Sequence, residues 1–480
     1  MRVEDIVNVF PYDLVVVGAG SGGYAAARVA RQRGADVALV DHGPLGGLCI
    51  LRGCMPSKTL LASSDALQDI RDAEQLGVTS TDVRIDFRHI MQRKREIIAG
   101  FARYRIDGIR DYPLYEGQAQ FLSPTRLQVG SDTILEARRF IIATGSVVAP
   151  PAVPGLREAG YIDSDGALEL SELPKSLLVL GGGYVGSELG QFFARMGVKT
   201  TIVLRSPHLL SGGDHDIGHA LTEYFREEGI DVRTQTLIER VEVRDGAKIV
   251  QVRKHGVRAE LSGEQILYCL GRVPNIEGLD LAKAGVRAHP LTGIEVDQSL
   301  RTSNPHIFAV GDVSGRFLLV HVAIYQAEIA ARNAIDNAAE PADYSLVKSH
   351  TIFSEPQVAV VGDTERELQS TGVAYIKASY DFAEHGKAIA IGRTKGFVKM
   401  MAAPDTGKIL GAAVLGPSGS DLIHEIIVAM HYHATVFEFK RIPHLHPTLA
   451  EIWTYPAQEI TEKITAVQVN EQPIKLGATG

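Results

Sequence analysis

The stretch DLVVVGAGSGGYAAARVARQRGADVALVD, residues 13–41, decides the fold. An almost fully apolar run ends at Gly18, a segment rich in Ala and Arg follows, and a second apolar run ends at Asp41. This order predicts a strand, a glycine turn, a helix and a second strand. Gly18, Gly20 and Gly23 fit G-x-G-x-x-G, which lets backbone amides approach the pyrophosphate of a dinucleotide. Asp41 is placed to accept hydrogen bonds from ribose hydroxyls.

The same pattern returns at residues 177–204, so the chain contains two copies of one nucleotide-binding design. In the second copy Leu204 stands where Asp41 stands in the first, and Arg205 follows it. A guanidinium at this place favours the 2′-phosphate of NADP, and a solvated surface arginine is the alternative interpretation. The turn glycines of the second copy are Gly181, Gly183 and Gly186.

Length and composition narrow the class of protein. The chain has 480 residues, 45% hydrophobic and 22% charged, which predicts a globular protein of about three domains. Its formal net charge of −8 gives no basic field for nucleic acid or an anionic membrane, so we expect a small-molecule partner. Apolar runs fall short of the roughly 18 residues that a membrane span needs, and the first ten residues lack a signal-peptide pattern. We therefore expect a cytoplasmic protein.

A pair of cysteines is the first sign of chemistry. Cys49 and Cys54 lie five positions apart in GGLCILRGCMPSK, and the chain has only one further cysteine, Cys269. The neighbouring glycines let the backbone bend, while Arg52 and Lys58 supply positive charge that favours a thiolate. A disulfide that opens and closes is therefore favoured over an inert buried pair. We expect Cys269, at the end of an apolar run, to be an inert core residue.

A histidine near the C-terminus is a candidate acid–base group. His446 precedes a proline, and Glu451 follows five residues later. An imidazole oriented by a carboxylate is the usual composition of a general acid–base pair, with a surface histidine as the alternative. Other histidines lie nearby in the chain, but none has the spacing of a zinc motif, so no metal site is predicted.

Together these motifs resemble the FAD-dependent pyridine nucleotide-disulfide oxidoreductases, the group of dihydrolipoamide dehydrogenase, glutathione reductase and mercuric reductase. Four further motifs share the resemblance: ATGS at residues 143–146, GRVPN at 271–275, AVGD at 309–312 and HPTLAE at 446–451. The matches follow the order of the family over nearly the whole chain. This combination of motifs is specific for the superfamily, but it does not identify the substrate.

The resemblance implies an α/β fold with two Rossmann-like dinucleotide-binding domains, a C-terminal α+β dimerisation domain and a homodimer. The FAD-binding domain would comprise residues 1–150 and 272–345. The NAD(P)-binding domain would comprise residues 151–271, and the dimerisation domain residues 346–480. Independently, the segment VVAPPAVPG at residues 147–155 is rich in Pro and Gly, which predicts a linker.

The resemblance also implies roles for the residues around the flavin. Cys54 would be the thiol nearest the flavin, and Cys49 would exchange with the substrate. Lys58 would lie by the flavin N5 and pair with Glu188, while Asp312 would bind the ribityl chain. The remaining implied cofactor-binding residues are Thr144, Gly145, Gly271 and Arg272.

Two further roles follow from the same resemblance. Tyr184 resembles the residue that covers the nicotinamide pocket in glutathione reductases. His446, oriented by Glu451, would protonate and deprotonate the thiols of the other subunit.

The chain departs from the family pattern beside the cysteines, where Leu48 and Leu51 replace the usual Thr and Asn. HPTLAE is more like dihydrolipoamide dehydrogenase, whereas Tyr184 and Arg205 are more like glutathione reductase. The sequence therefore predicts a dihydrolipoamide dehydrogenase-like enzyme that uses FAD and NADP or NAD, with NADP favoured. Its substrate would be a small-molecule or lipoyl-protein disulfide, and Arg52 would favour an anionic one. The alternatives are a glutathione-type, mercuric or quinone reductase, or a non-catalytic FAD redox sensor or scaffold.

Overall fold

The computed structural model describes residues 9–471, which form two compact units. The first unit comprises the chain up to Ala62, Asp86–Leu173 and Leu267–Val347. The second comprises Ser63–Ile85, Pro174–Ile266 and the chain from Lys348 onward.

A mostly parallel sheet forms the centre of the first unit. Its strand Val9–Val17 pairs in parallel with Val37–Asp41 on one side and Thr133–Ile142 on the other. Successive residues of Val9–Val17 face opposite sides of the sheet, so Leu14 and Val16 join one apolar core and Val15 and Val17 join another. In spatial order the strands are Leu114–Glu116, Val37–Asp41, Val9–Val17, Thr133–Ile142, Arg126–Val129 and Ala119–Ser123, with Ile307–Ala309 also paired to Thr133–Ile142.

Helices and short strands complete this unit. The core on the Leu14 side includes alanines of two helices, Ser21–Gln32 and Val320–Asp336. Residues 146–148, which overlap the predicted linker, form a strand that pairs with Arg272–Pro274, so only the rest of that segment is irregular. Its other elements are Leu48–Arg52, Cys54–Asp72 (which continues into the second unit), Phe87–Arg110, Leu156–Ala159, Ser164–Ala167, Leu281–Ala284, Ala288–His289, Gly293–Ile294 and Gly311–Ser314.

The second unit contains the second copy of the strand, turn and helix pattern. Ser176–Leu180 pairs in parallel with Lys199–Val203, which pairs in parallel with Asp231–Arg233. The fourth strand of this sheet is Gln265–Tyr268. Within this strand, at Leu267, the chain returns to the first unit. Between Asp231–Arg233 and this fourth strand, the chain forms an antiparallel sheet with the strands Leu237–Arg244, Ala247–Lys254 and Val257–Gly263.

A five-stranded antiparallel sheet lies in the C-terminal part of the second unit. Its order is His350–Ile352, Gln357–Gly362, Ile409–Gly416, Phe397–Ala402 and Ile376–Asp381. The helices of the unit are Ala73–Leu76, Tyr184–Arg195, His215–Glu227, Glu365–Thr371, Phe382–Glu384, Gly386–Ala390, Gly419–His431, Val436–Phe439, Ala450–Trp453 and Thr454–Glu471. Among residues 9–471, no helix combines the length and the apolar character needed to cross a membrane.

A buried lysine of the antiparallel sheet contacts carboxylates at the start of the helices His215–Glu227 and Glu365–Thr371. The ammonium of Lys399 lies 2.8 Å from Asp214, 2.9 Å from Asp216 and 3.2 Å from Glu365. Burial alone would lower the pKa of Lys399, but hydrogen bonds and charge interactions with Asp214 and Asp216 raise it above its ordinary value. The three carboxylates, whose oxygens also have the spacing of a metal site, thus surround a positive charge that the chain itself supplies.

Lys399→Met should destabilise the second unit by about 3–5 kcal/mol, because it leaves three clustered carboxylates without their counter-charge. The fluorescence of Trp453, the single tryptophan of the chain, follows urea unfolding of this unit. The matched control is Lys395→Met, because Lys395 forms an exposed pair with Glu227 and should contribute less than about 1 kcal/mol. Equal effects of the two variants would show that the cluster does not stabilise the unit.

Candidate active site

The first glycine turn packs tightly against other backbone segments. A Cβ added to Gly18 would lie 2.4 Å from the carbonyl oxygen of Ala143, and one added to Gly23 would lie 1.7 Å from that of Gly18. Gly18 also has φ +102°, which side chains rarely adopt. The turn therefore needs glycine at these places, and it brings the ATGS motif against the start of the helix Ser21–Gln32.

The segment that carries the cysteines crosses the same turn. A Cβ added to Gly47 would lie 2.7 Å from the Cα atom of Gly20. The contact between these two glycines places residues 48–58 beside the N-terminus of the helix Ser21–Gln32. The predicted redox pair and the predicted pyrophosphate site are therefore neighbours.

Asp41 lies at the turn, as the sequence predicts. One of its carboxylate oxygens accepts a hydrogen bond from the amide of Ala19 at 2.7 Å, and the other accepts one from the amide of Gly43 at 2.7 Å. A carboxylate held in this way at the end of the second strand fits a ribose-binding role.

Cys49 and Cys54 lie together as thiols. A hydrogen bond with Cys54 raises the pKa of Cys49, burial raises it further, and the positive charges of Lys58 and Arg105 oppose the rise. Cys54 is the first residue of the helix Cys54–Asp72, and the positive end of a helix dipole favours negative charge on its sulfur. The two sulfurs thus occupy different electrostatic surroundings.

Sequence reasoning did not identify Arg105. It lies 56 positions after Cys49, on the helix Phe87–Arg110, with its guanidinium carbon 4.7 Å from the ring centre of Tyr24. Arg52, which the sequence does point to, forms an ion pair with Asp165 at 3.4 Å. No motif marks Arg105, because only the packing of a long helix brings it within electrostatic reach of the cysteines.

Three motifs that are distant in the sequence meet around Asp312. The hydroxyl of Ser146 donates to the Asp312 carboxylate at 2.6 Å and accepts from Nε of Arg272 at 2.9 Å. Burial raises the pKa of Asp312, and the Ser146 hydrogen bond and the Arg272 charge oppose the rise. The hydroxyl of Thr144 donates to the carbonyl of Asn275 at 2.7 Å, which ties ATGS to GRVPN.

The backbone beside this cluster leaves open space. Gly145 and Gly271 have φ +74° and +118°, and a Cβ added to either would meet no atom within 4 Å. Together with the glycine turn, Asp41 and Asp312, this arrangement fits the dinucleotide that the sequence predicts.

The second glycine turn begins the helix Tyr184–Arg195. Gly181 has φ +113°, and its amide donates to the carbonyl of Val203 at 2.9 Å. Gly183 precedes the helix as its N-cap, and Gly186 is buried within it. Arg205 is exposed and forms no ion pair with any residue that the structure describes, so its guanidinium is available to a ligand.

Two side chains of this helix have defined partners. The ring of Tyr184 stacks on His350 with centroids 5.5 Å apart and 17° between the planes, and burial raises the pKa of Tyr184. Glu188 is buried and accepts a hydrogen bond from the amide of Phe353 at 2.9 Å. The predicted pairing of Glu188 with Lys58 stays a prediction.

His446 and Glu451 lie together in the second unit. Nδ1 of His446 is 3.0 Å and 3.2 Å from the two carboxylate oxygens of Glu451. The His446 side chain is 79% exposed, whereas that of Glu451 is 12% exposed. This arrangement commits Nδ1 to the carboxylate and leaves Nε2 available for proton transfer. Sequence reasoning did not identify a second imidazole, His385, which is fully buried on the other side of Glu451.

Comparison with models of protein families shows which family the chain belongs to. The model of the pyridine nucleotide-disulphide oxidoreductases matches residues 12–327, and the model of their dimerisation domain matches residues 349–457. The chain belongs to this family. It is a flavoprotein that uses FAD and a pyridine nucleotide, and its dimerisation domain supports the homodimer expected from the sequence.

Individual relatives agree with this assignment. A dihydrolipoyl dehydrogenase of Geobacillus stearothermophilus is 35% identical over 447 residues, which cover 92% of this chain and 94% of the relative. A mercuric reductase of Streptomyces lividans is 35% identical over 470 residues, or 94% and 97% of the two chains. The HOCl-induced flavoprotein disulfide reductase RclA of Escherichia coli has a TM-score of 0.82 and 26% identity, covering 93% of this chain and 99% of that one.

These findings confirm the predicted family, the α/β fold with nucleotide-binding domains and a dimerisation domain, and the class of enzyme. The substrate and the roles of single residues are proposals, which the geometry above supports.

Arg105→Met should slow alkylation of Cys49 by iodoacetamide in the reduced enzyme by roughly two- to tenfold at neutral pH, because thiolate, not thiol, reacts. Removing this positive charge raises the pKa of Cys49 further, so less thiolate is present at a given pH. Mass spectrometry of the peptide that contains Cys49 measures the rate.

Arg103→Met is the matched control for this variant. Arg103 is an exposed arginine on the same helix and has no interaction with Cys49. An unchanged rate in Arg105→Met, or the same slowing in both variants, would remove Arg105 from the site.

Proposed function

We propose that the protein is a dihydrolipoyl dehydrogenase-like enzyme, which oxidises a dithiol to a disulfide. In the balanced reaction, the dithiol and NAD(P)⁺ give the disulfide, NAD(P)H and a proton. The observation that carries the proposal is the hydrogen-bonded pair of Cys49 and Cys54 beside the glycine turn. The curated relatives named dihydrolipoyl dehydrogenase support the choice of substrate.

The two cysteines take different parts in the exchange. A substrate thiolate attacks Cys49 of the disulfide, and Cys54 leaves as a thiolate that the helix N-terminus favours. The second substrate thiol then displaces Cys49, which releases the oxidised substrate and leaves a reduced cysteine pair. FAD, when bound, carries the two electrons between this pair and the nicotinamide.

His446 supplies the proton transfers that this exchange needs. Its Nε2 accepts a proton from a substrate thiol, while Glu451 holds Nδ1 and stabilises the resulting imidazolium. We assign this histidine to the thiols of the other subunit of the homodimer, so each dimer contains two composite sites.

We assign FAD to the first glycine turn and NAD(P) to the second. Lys58 and Glu188 pair by the flavin, and Tyr184 covers the nicotinamide. The FAD site comprises Gly18, Gly20, Gly23, Asp41, Lys58, Thr144, Gly145, Gly271, Arg272 and Asp312. The NAD(P) site comprises Gly181, Gly183, Tyr184, Gly186 and Arg205.

The domain boundaries that accompany this assignment are residues 1–150 with 272–345 for FAD, 151–271 for NAD(P), and 346–480 for dimerisation. The family match that ends at residue 327 and the dimerisation-domain match that begins at residue 349 support the last of these boundaries. We place the enzyme in the cytoplasm, since three cysteines are too few for a secreted disulfide framework.

A second candidate is an NADPH-dependent reductase of anionic disulfides. The charge of Arg105 near Cys49 favours it, because it would attract a carboxylate of such a substrate. The same cysteine exchange would then run toward reduction of the substrate.

Steady-state turnover with each substrate decides between these functions. We expect dihydrolipoamide to reduce NAD⁺ or NADP⁺, and Cys49→Ser to abolish this turnover while the variant still oxidises NAD(P)H with a quinone. Cys269→Ser is the matched control and should keep both activities. The panel also includes glutathione disulfide and mercuric ion. Preference for glutathione disulfide would favour the second candidate, and dihydrolipoamide oxidation that survives Cys49→Ser would contradict a disulfide mechanism.

Arg205→Glu should weaken NADPH binding by about ten- to a hundredfold, because a charge-assisted contact to phosphate contributes roughly 1.5–3 kcal/mol. It should also improve NADH use, since a carboxylate can accept from the ribose hydroxyls. Lys199→Glu makes the same change of charge at the opposite end of the strand Lys199–Val203 and serves as the control. Titration of flavin reduction with each nucleotide measures both effects, and unchanged selectivity in Arg205→Glu would assign the phosphate to other residues.

A further inference from the structure

The carboxylate of Glu451 lies between two imidazoles. Its Oε1 atom is 3.2 Å from Nδ1 of His446 and 3.6 Å from Nε2 of His385. His446 is mostly exposed, whereas His385 is completely buried. A single carboxylate oxygen therefore faces a solvent-exposed and a buried ring nitrogen.

The other contacts of His385 determine which nitrogen carries its proton. Nδ1 accepts a hydrogen bond from the amide of Ala388, so His385 acts as the N-cap of the helix Gly386–Ala390. A neutral imidazole that accepts at Nδ1 carries its proton on Nε2. Burial and the nearby His446 lower the pKa of His385 and so favour its neutral ring, although the charge of Glu451 opposes the shift.

The Nε2–H group of His385 thus points at a carboxylate. Nε2 is buried and has no hydrogen-bond partner within the described residues, and 3.6 Å is slightly longer than a hydrogen bond. A buried donor without a partner is costly, and Glu451 is the acceptor that a shift of a few tenths of an ångström would supply.

Aromatic rings surround His385 on its other sides. The ring of Phe382 lies edge-on at 6.4 Å and that of Tyr455 at 6.2 Å, and Tyr455 is stacked on Tyr380 at 4.0 Å. Burial raises the pKa of Tyr380. The ionisable groups that interact with His385 are Glu451, which raises its pKa, and His446, which lowers it.

We propose that His385 is a positioning residue, whose Nε2–H holds the Glu451 carboxylate against Nδ1 of His446. Through Glu451 it keeps His446 in the tautomer with the proton on Nδ1 and leaves Nε2 open to the substrate thiol. The tautomer itself is independent of any substrate, whereas its consequence for turnover rests on the proposed function.

Ring ¹⁵N chemical shifts of the FAD-loaded protein with labelled histidine test this proposal. In the wild type we expect His385 to be protonated on Nε2 and neutral His446 on Nδ1. His385→Asn retains a side chain that can cap the helix but removes the donor to Glu451. We expect it to shift neutral His446 toward the Nε2–H tautomer. Tyr455→Phe, which keeps the ring beside His385, should leave His446 unchanged.

Measurements of turnover distinguish a positioning role of His385 from a purely structural one. His385→Asn should lower kcat for lipoamide about three- to tenfold at nearly constant KM, because His446 is misoriented while substrate binding is retained. Reduction of the flavin by NAD(P)H, which does not need His446, should keep its rate. Glu451→Gln should remove the effect of His385→Asn, since both act through one carboxylate.

Three results would overturn the proposal: a wild-type His385 protonated on Nδ1, a His446 tautomer that does not change in His385→Asn, or a full effect of His385→Asn in the Glu451→Gln background. The first result needs no variant, so it applies even if His385→Asn does not fold. Correct tautomers in a wild type without lipoamide turnover would instead reject the proposed substrate and leave the role of His385 standing.

Discussion

The contact between Gly20 and Gly47 is the constraint on which the candidate site depends. The two backbones approach so closely that a Cβ on Gly47 would lie 2.7 Å from the Cα atom of Gly20. Because of this approach, the helix Cys54–Asp72 starts beside the turn that is predicted to bind FAD, and Cys54 stands at that start. A side chain at Gly47 would clash with the backbone of Gly20 and would move the start of the helix Cys54–Asp72 away from the turn.

Once the cysteines lie at the turn, their surroundings make them unequal. The hydrogen bond with Cys54 and burial both disfavour a thiolate at Cys49, while Lys58 and Arg105 favour one. At Cys54, the helix N-terminus favours negative charge. This difference suits a mechanism in which one sulfur exchanges with the substrate and the other retains charge. In the second unit, Glu451 contacts Nδ1 of His446, which leaves Nε2 of this imidazole available for proton transfer.

Local sequence patterns predict the elements that form the site but not all of its residues. The strands Val9–Val17 and Val37–Asp41 were predictable from their apolar runs. The first run ends at Gly18 of the glycine turn, and the second ends at Asp41, the predicted ribose acceptor. Arg105 and His385 were not predictable, since each reaches its partner through packing between segments more than 50 residues apart. The cluster around Lys399 was missed for the same reason. It joins the start of the helix His215–Glu227 to the strand Phe397–Ala402, and these two elements belong to domains that the sequence predicts as separate.

We propose that the dithiol chemistry combines the cysteine pair of one subunit with His446 of the other. A doubly tagged mixed dimer, with Cys49→Ser in one subunit and His446→Ala in the other, tests this claim most directly. Each homodimeric variant should be inactive in lipoamide turnover, and the FAD-loaded mixed dimer should recover about half of wild-type activity, because one site keeps both unmutated residues. An inactive mixed dimer would contradict the account, since the cysteines and His446 would then have to act within a single chain.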